Sequence, residues 1–348
     1  MRYIDRATKR AKNCIAKGRA TILAIESSCD ETAAAVVQDG RRVLSNVVYT
    51  QIPLHRQFGG VVPELAGRNH VDQIGITVSE AIRLANCRKE DIDAVAVTNR
   101  PGLIGALLVG VCYAKGLALA GELPLLGVDH IAGHVAANYI SHPQLQPPFV
   151  CLVASGGHSH VLRVDDYNSF ALLGQTRDDA AVEAYDKAAR AMGLPYPGGP
   201  ELARLASGGD PHKYKFHSAL NESDDPDMSF SGIKTALVNL LSNARTRGET
   251  LCLPDVAASF QYAINRTLTH KALLHTTGSK GRLVLAGGVC ANENLRTMLK
   301  AECAKRGIDF YYPAAPYRTD NAAMIGAQGF YMLMAGVLSD LQMTAEAN

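Results

Sequence analysis

Two histidines four residues apart, His130 and His134, lie in the segment LLGVDHIAGHVAANY. In an α-helix, residues i and i+4 share one face, so both imidazoles can reach the same metal ion. A carboxylate from a distant segment, such as Asp320 in YRTDNAAMIG, would complete a set of two histidines and one carboxylate. Such a set leaves coordination positions open for a substrate and suits iron or zinc. The alternative is a pair of histidines without a metal, because folds accommodate neutral imidazole easily.

Acidic and hydroxyl side chains are concentrated in IESSCDETAA (25–34), directly after a predicted strand. Acids at the end of a strand can act as a base or face a phosphate-metal centre. Asp30 and Glu31 are therefore candidate catalytic residues. Ordinary turn formation by serine and aspartate explains the same pattern without any catalytic role.

Two glycine pairs follow predicted strands, in LVASGGHSH (152–160) and LAGGVCANENL (285–295). Glycine permits a positive φ and a close approach of backbone N–H groups to a phosphate. The second pair leads into a helix, whose N-terminus favours an anion. There Asn292 either caps the helix or binds a nucleoside. An ordinary hairpin turn is the alternative for the first pair.

Further polar candidates lie in DDAAVEAYDKAARAMGLPYPGGPEL (178–202) and in FSGIKTAL (230–237). Asp186 and Gly199 are thirteen residues apart across a predicted helix end, and periodicity alone does not bring them together. Lys234 is either a phosphate ligand or a solvated charge.

The order of predicted elements indicates a duplicated α/β fold. A strand, a polar turn and two more strands begin near Thr21, and the same plan recurs near Phe149. The proline-rich segment HPQLQPP (142–148) marks a boundary. We therefore predict a basic extension (1–20), an N-terminal lobe (21–145) completed by a C-terminal helix (321–348), and a C-terminal lobe (146–320).

The first 20 residues contain seven Lys or Arg and one acid, Asp5. They predict a surface helix or a mobile arm that could contact phosphates, and organellar import is a further alternative. Elsewhere the composition is that of an ordinary α/β protein, with a net charge of +2. The eight cysteines are scattered, which favours a reducing compartment. No apolar run reaches the 18 residues of a membrane span.

These motifs together resemble the TsaD family, also called Gcp, which is related to the Kae proteins. The resemblance extends from Thr21 to about Gly336 and rests on an ordered set of segments: ESSCDETAAAVV, HRQFGGVVPELAGRNH, RPGLIGALLVG, VDHIAGHVAA, LVASGGHSH, EAYDKAAR with YPGGP, FSGIKTAL, LAGGVCANENLR and YRTDNAAMIG. It implies an actin-like ATPase (ASKHA) fold, with two duplicated RNase H-like lobes around a central cleft.

The resemblance also implies a reaction. Such proteins are tRNA N6-adenosine threonylcarbamoyltransferases, which move a threonylcarbamoyl group from threonylcarbamoyl-AMP to the adenine beside the anticodon of tRNAs that read codons beginning with A. The implied metal ligands are His130, His134 and Asp320, for iron(II) or zinc. The implied residues of the adenylate site are Val153, Ala154, Ser155, Gly156, Gly157, Asp186, Gly199 and Asn292. The implied partners are a TsaB-like paralogue and a TsaE-like ATPase, in a bacterial cytoplasm and without a membrane.

Three positions depart from the pattern of the family. Tyr185 replaces the usual phenylalanine, Val182 replaces a glycine, and Arg100 replaces a glycine before Pro-Gly-Leu. In addition, Ala203 stands where many members carry an aspartate, which puts one ribose contact in doubt.

Other functions remain as alternatives. An ATPase or phosphotransferase of the same fold is disfavoured by the histidine pair, since such centres hold magnesium on oxygens. A metalloprotease lacks support because the pair reads His-Ile-Ala-Gly-His, without the glutamate of His-Glu-x-x-His. A scaffolding paralogue without activity is disfavoured by the complete set of metal ligands.

Overall fold

The computed structural model describes residues 3–276 and 281–347, which form two compact units. Unit 1 contains the chain up to Gln146 and from Pro313 onward, and unit 2 spans Pro147–Tyr312. From the sequence, the C-terminal lobe was predicted to end at residue 320 and the return to the first lobe to begin at 321. The chain rejoins unit 1 earlier, because the Ala314 amide already donates a hydrogen bond to Ser141 Oγ at 2.9 Å.

The helices and strands follow the alternation expected of an α/β protein. In chain order they are α1 (Tyr3–Lys17), β1 (Thr21–Glu26), β2 (Glu31–Gln38), β3 (Arg42–Thr50), α2 (Ile52–His55), α3 (Pro63–Leu84), β4 (Ala94–Arg100), α4 (Ile104–Gly121), β5 (Leu125–Asp129), α5 (His130–Ser141), β6 (Phe149–Ala154), β7 (Ser159–Asp166), β8 (Ser169–Gln175), α6 (Ala181–Ala191), α7 (Gly198–Ala206), α8 (Ala219–Glu222), α9 (Ser231–Arg247), α10 (Leu253–Leu273), β9 (Arg282–Ala286), α11 (Glu293–Lys305), β10 (Asp309–Tyr311) and α12 (Ala322–Met334).

Unit 1 is built on a five-stranded mixed sheet in the order β3-β2-β1-β4-β5. Strand β1 pairs antiparallel with β2 and parallel with β4, and β4 pairs parallel with β5. The interior of β1 is entirely apolar and buried, as a strand covered on both faces must be. Because the parallel strands β1 and β5 end at the same edge, the residues that follow them are brought close together.

Unit 2 repeats this arrangement with the strand order β10-β9-β6-β7-β8. Its central strand β6 pairs antiparallel with β7 and parallel with β9, as β1 does with β2 and β4. The outer strands also correspond, since β8 is antiparallel to β7 and β10 is parallel to β9. Two units with one topology are what duplication of a single α/β domain produces.

The basic N-terminal segment forms a helix that is docked on unit 1. Ala7, Ala11 and Cys14 are buried on one side of α1. The Tyr3 hydroxyl donates a hydrogen bond to the Leu123 carbonyl at 2.8 Å. This segment is therefore a surface helix in the structure, as one of the two favoured alternatives predicted.

Helix α4 is long and apolar enough to cross a membrane by length and composition, with a mean hydropathy of 1.7. The same composition is found in core helices of soluble proteins. One side of α4, including Leu107, Val111 and Ala114, packs into the core of unit 1 beside α3 and β4. Its other side exposes Ile104 and Leu108, so only a third of the helix is buried.

The last helix, α12, packs against α5 and β1, so the C-terminal segment belongs to unit 1. It is shorter than the predicted helix over 321–348, because Gly336 adopts a φ of +74° immediately beyond its C-terminus. A left-handed glycine at this position closes the last turn and ends the helix. The described residues beyond it include no further helix.

Candidate functional site

The predicted histidine pair lies at the start of α5, directly after the end of strand β5. Asp129 caps this helix, since its Oδ1 accepts hydrogen bonds from the amides of Ile131 (2.8 Å) and Ala132 (3.2 Å). The cap fixes the first turn, which places His130 and His134 on one helix face. Their rings are 4.5 Å apart between centroids, in an edge-on arrangement.

Asp320 meets this pair from the other end of the chain. It directly precedes α12, and Asn321 caps that helix through the Met324 amide. Asp320 Oδ1 lies 3.5 Å from His130 Nε2 and 3.2 Å from His134 Nε2. One ligand atom from each of the three residues lies within 4.8 Å of the others. The structure thus brings together the three residues for which the sequence analysis predicted a shared site.

The donor set fits a divalent transition metal. His134 Nδ1 is buried and lacks a hydrogen-bond partner among the described residues, and the buried Nε2 has Asp320 Oδ1 as its neighbour at 3.2 Å. Buried polar atoms without partners are rare, and they indicate a group that the structure omits. Two imidazoles and one carboxylate match the ligands that iron(II) and zinc take in sites with open positions.

Glu26 is a site residue that the sequence analysis did not select. It ends β1, is fully buried, and its Oε2 lies 3.0 Å from His130 Nδ1. The same carboxylate accepts hydrogen bonds from the Thr98 hydroxyl and the Ser28 amide, each at 2.5 Å. It therefore holds the imidazole so that Nε2 faces Asp320. The signal in the sequence was an acid directly after the four apolar residues 22–25 of one strand.

His130 lies between two carboxylates, those of Glu26 and Asp320, and the three groups shift one another's pKa values. Burial disfavours every charged form, but the carboxylates of Glu26 and Asp320 outweigh it and raise the pKa of His130 well above its usual value. In turn, His130 outweighs burial and lowers the pKa of Glu26 and of Asp320. Burial, reinforced by His130, lowers the pKa of His134. His134 is thus neutral at neutral pH, the form in which imidazole binds a metal.

The acidic segment after β1 is held by helix α3. His70, which is buried on α3, contacts the Thr32 hydroxyl through Nδ1 at 2.7 Å and donates from Nε2 to the Cys29 carbonyl at 3.0 Å. Glu31 begins β2 and accepts a hydrogen bond from the Thr50 hydroxyl at 3.1 Å. Burial and the neighbouring Asp30 and Asp320 carboxylates raise the pKa of Glu31 to about 10. Its carboxyl group consequently keeps its proton at neutral pH.

In unit 2, the first glycine pair forms the turn between β6 and β7. Val153, Ala154 and Ser155 are buried, whereas Gly156 and Gly157 are exposed. Neither glycine has a positive φ, and a Cβ on either would meet open space. The positive φ that glycine permits is therefore not used at this pair. What the two glycines leave is free space above the end of β6.

The second glycine pair does require glycine. Gly287 has a φ of +84°, and a Cβ there would lie 2.4 Å from the Ala154 carbonyl oxygen of the adjacent strand. Since β6 and β9 are parallel neighbours, this contact brings the two glycine turns together at one sheet edge.

Asp186 and Gly199 are joined directly. Asp186 Oδ1 accepts hydrogen bonds from the amides of Gly198 (2.7 Å) and Gly199 (3.2 Å) at the N-terminus of α7. A carboxylate at this position offsets the positive end of the helix. Gly199 has open space where a Cβ would lie. Lys234, the other candidate in this unit, pairs with Asp179 at 2.6 Å, as a structural charge does.

Asn292 caps α11 and also anchors a buried network. Its Oδ1 accepts from the Leu295 amide at 3.1 Å, and its Nδ2 donates to Tyr185 Oη and Gln261 Oε1, both at 3.2 Å. Tyr185 in turn donates to Asn265 Oδ1 at 2.9 Å. The helix cap that was one of the two predicted roles of Asn292 is therefore present. Both N–H groups of Asn292 already donate hydrogen bonds within the protein.

A cavity of about 710 Å³ lies beside this network, along α7 and at the N-terminal end of α11. Its lining includes Pro200, Ala203, Gln261 and Asn292, and we call it the Asn292 cavity. Ala203 contributes a methyl group where an aspartate would contribute a carboxylate. The 153–157 turn and Asp186 are not part of this lining.

Removing the Tyr185 hydroxyl is expected to destabilise unit 2. Tyr185→Phe leaves Asn265 Oδ1 and one N–H of Asn292 without partners, which costs roughly 1–3 kcal/mol in the free energy of unfolding. Urea denaturation measures this loss. Tyr262→Phe on α10 is the matched control, because the Tyr262 hydroxyl has no hydrogen bond among the described residues. Equal stability of the two variants would contradict the network.

Comparison with known proteins decides the family. A sequence model of the family "TsaD: tRNA N6-adenosine threonylcarbamoyltransferase" matches residues 42–327. The chain belongs to the TsaD family. The tRNA N6-adenosine threonylcarbamoyltransferases of Clostridium perfringens (strain SM101) and Clostridioides difficile (strain 630) are 51% and 50% identical to it over 328 residues, which is 94% of this chain and 97% of each relative. The family predicted from the sequence is confirmed.

Solved structures confirm the fold of this TsaD-family chain. Full-length HypF in its phosphate- and nucleotide-bound form superimposes with a TM-score of 0.60 at 15% identity, over 91% of this chain and 46% of HypF. HypF from T. kodakarensis gives a TM-score of 0.58 at 15% identity, over 93% of this chain and 49% of that one. At such low identity the likeness concerns the fold alone, which is the predicted actin-like ATPase class.

Proposed function

We propose that this chain performs the reaction for which its family is named. It would transfer the threonylcarbamoyl group of threonylcarbamoyl-AMP to N6 of the adenine next to the anticodon, in tRNAs that read codons beginning with A. The observation that carries the proposal is the convergence of His130, His134 and Asp320 in a chain of the TsaD family.

The metal proposed for unit 1 is iron(II), with zinc as the other ion that suits the donors. His130 and His134 would bind it through Nε2, and Asp320 through Oδ1. When bound, such an ion supplies a Lewis acid that polarises a carbonyl or orients a carboxylate. Glu26 keeps His130 in the orientation and tautomer that binding needs.

Replacing Glu26, whose carboxylate contacts His130 Nδ1, is expected to weaken metal binding. Glu26→Gln keeps the size of the side chain but removes the charge that Thr98 and the Ser28 amide hold in place. Loss of such a partner lowers metal affinity roughly 10–100-fold. Competition with a fluorescent chelator measures the dissociation constant without any assay of activity. Glu80→Gln, on the surface of α3, is the control, and an unchanged affinity in Glu26→Gln would remove Glu26 from the site.

For the acidic segment we propose that Glu31, with Asp30 beside it, handles the proton of the attacking adenine amine. Its support is the location after β1, beside the buried Asp30. The amine must lose a proton as it attacks the carbamoyl carbon, and AMP leaves as the anhydride bond breaks. The ionised form of the Glu31 carboxyl group would accept that proton as a general base.

Unit 2 is proposed to hold the adenylate. Val153, Ala154, Ser155, Gly156 and Gly157 would present free space and backbone amides to its phosphate. The Asp186–Gly199 contact and Asn292 would shape the neighbouring nucleoside site, Asn292 through the remaining lone pair of Oδ1. Because Ala203 offers no hydrogen bond, ribose recognition here would rest on fewer polar contacts than in relatives with an aspartate.

The proposed protein partners are a TsaB-like paralogue and a TsaE-like ATPase. A candidate surface for the paralogue is the exposed apolar face of α3 and α4, where Val71 and Ile76 are 62% and 66% exposed and Leu108 is 45% exposed. Large contiguous apolar patches on a folded protein commonly mark a protein interface. The bacterial relatives support a cytoplasmic location for the complex.

A charge in the middle of this face is expected to prevent the complex. Ile76→Asp buries no new charge in the free chain, since Ile76 is exposed, but it would place an unpaired carboxylate in the interface. Binding should weaken more than 100-fold, on the order of 3 kcal/mol. Calorimetric titration with the paralogue measures this. Leu253→Asp, at an exposed position at the start of α10 in unit 2, should bind normally, and a normal Ile76→Asp complex would exclude this face.

The reaction is tested by reconstitution. The chain, its two presumed partners, ATP and synthetic threonylcarbamoyl-AMP are incubated with unmodified tRNA, and the nucleosides are analysed by mass spectrometry. Threonylcarbamoyl-adenosine is expected, and none should form on a tRNA whose adenine beside the anticodon is replaced by guanine. If a chain that binds its partners yields no product while a relative does so under the same conditions, the proposal fails.

A further inference from the structure

A second cavity of unit 2 lies between α10 and the segment 211–222, and we call it the α10 cavity. It encloses about 300 Å³, at the lower end of the volumes of small-ligand sites. One face of α10 forms a wall, because Ser259, Tyr262, Arg266 and His270 recur every three or four residues. The opposite wall comes from the loop that leads into α8.

The lining of the α10 cavity is rich in cations and N–H donors. It includes Lys215 and Arg266, together with the histidines His212, His217 and His270. Glu222 is the acid among the lining residues, and it lies 3.0 Å from His217 Nδ1 and 3.9 Å from Arg266 Nη1. The side chain of Arg266 is 58% exposed, and Lys215 is exposed and has no ion pair with any described residue. Both cations therefore remain accessible to an anion.

Aromatic groups alternate with these cations. The rings of His212 and Tyr262 are 4.7 Å apart and meet edge to face, and Tyr214 and Phe216 complete the lining. Aromatic faces beside Arg and Lys are the means by which proteins hold unpaired nucleotides, since the base stacks on a ring and the phosphate pairs with a cation.

The α10 cavity and the Asn292 cavity are contiguous. Pro211 and Tyr262 line both of them. A ligand in the α10 cavity consequently lies beside whatever occupies the Asn292 cavity. For an enzyme that transfers an acyl group from a nucleotide donor to a nucleic acid, a nucleotide of the acceptor bound here would lie next to the donor.

We infer that the α10 cavity binds one unpaired nucleotide of the tRNA substrate. Its phosphate pairs with Lys215 and Arg266, and its base stacks on the Tyr262 ring. This inference rests on the proposed function, because it takes tRNA as the acceptor. It adds a contact that positions the RNA and takes no part in acyl transfer.

The test measures binding of unmodified tRNA to the full chain by fluorescence anisotropy, over a series of salt concentrations. Lys215→Ala and Arg266→Ala are compared with the wild type and with Lys300→Ala, which removes an exposed charge from α11 of the same unit. Each cavity variant is expected to bind about tenfold more weakly. Each should also lower the slope of log Kd against log salt by about 1. In turnover, KM for tRNA should rise while kcat at saturating tRNA is kept.

Three results would overturn the inference. The first is an affinity and salt slope for both cavity variants equal to those of the wild type. The second is an equal loss in Lys300→Ala, which would indicate a diffuse charge effect. The third is weakened binding of AMP with unchanged binding of tRNA, which would make the cavity a mononucleotide site. Failure of the proposed function looks different, because the wild type would then bind tRNA and form no product.

Discussion

His134→Ala is expected to lose both the bound metal and the acyl transfer. The substitution removes one of the three proposed ligands, and the buried Nε2 of this ligand lies 3.2 Å from Asp320 Oδ1, a second one. With two ligands left, we expect less than one tenth of the metal per chain and a rate reduced by at least about 10³-fold, since a catalytic ion contributes several kcal/mol to charge stabilisation. Elemental analysis of the purified chain and mass spectrometry of the tRNA nucleosides measure the two effects.

The matched control is His142→Ala, which removes an imidazole just beyond the C-terminus of the same helix. It should keep its metal and its activity, and thermal unfolding should show that both variants are folded. In the wild type, a chelator should remove activity, and iron(II) or zinc should restore it where magnesium does not. Full activity of a metal-free His134→Ala chain would show that the cluster is not a metal centre needed for transfer.

Glu31→Gln is expected to slow acyl transfer by about 10²–10⁴-fold, the usual contribution of general acid–base catalysis. Glutamine keeps the shape and can still accept the hydrogen bond of Thr50, but it exchanges no proton. KM for tRNA should change little, because the substitution affects the proton transfer and leaves the binding surfaces intact. Single-turnover kinetics with saturating tRNA isolates this step.

The pH dependence supplies a second criterion for Glu31. With its pKa raised to about 10, the carboxyl group is protonated at neutral pH, and its ionised fraction grows about tenfold per unit as the pH rises. If the ionised form is the base, the wild-type rate should rise between about pH 6 and 9, and the glutamine variant should lack this rise. Thr50→Val, which removes the hydrogen bonds of the Thr50 hydroxyl to Glu31 and from the Ile52 amide but leaves the Glu31 carboxyl group, should keep this rise. A fast glutamine variant would exclude Glu31 as the base.

Local patterns in the sequence were sufficient for the histidine helix and for the duplicated strands. The spacing of His130 and His134 identifies one helix face, because four residues make almost one turn. Two strand-turn-strand-strand openings predicted two similar sheets, and the structure has the same topology in both. These features depend on residues that are close in the sequence, and the spacing of residue types along the chain indicates such local structure directly.

Contacts between distant segments required the tertiary structure. Glu26 is 104 residues from His130, and its role appears only when the parallel strands bring the ends of β1 and β5 together. Asn292 could be a cap or a ligand from its sequence context, and only the partners at Tyr185 and Gln261 show that its N–H groups are already used. In these cases side chains converge through sheet register, which local propensity does not encode.

The glycine turns also show what the sequence can predict and what requires the tertiary structure. Sequence alone treats Gly156, Gly157 and Gly287 alike, since each follows a buried strand. The structure distinguishes them, because only Gly287 has a positive φ and lies against the backbone of the neighbouring strand. The sequence by itself therefore determined the family, the fold class and the ligand types of the candidate site. Tertiary packing decided which groups remain available to a ligand, because a side chain that is hydrogen-bonded within the protein has fewer polar atoms left to offer.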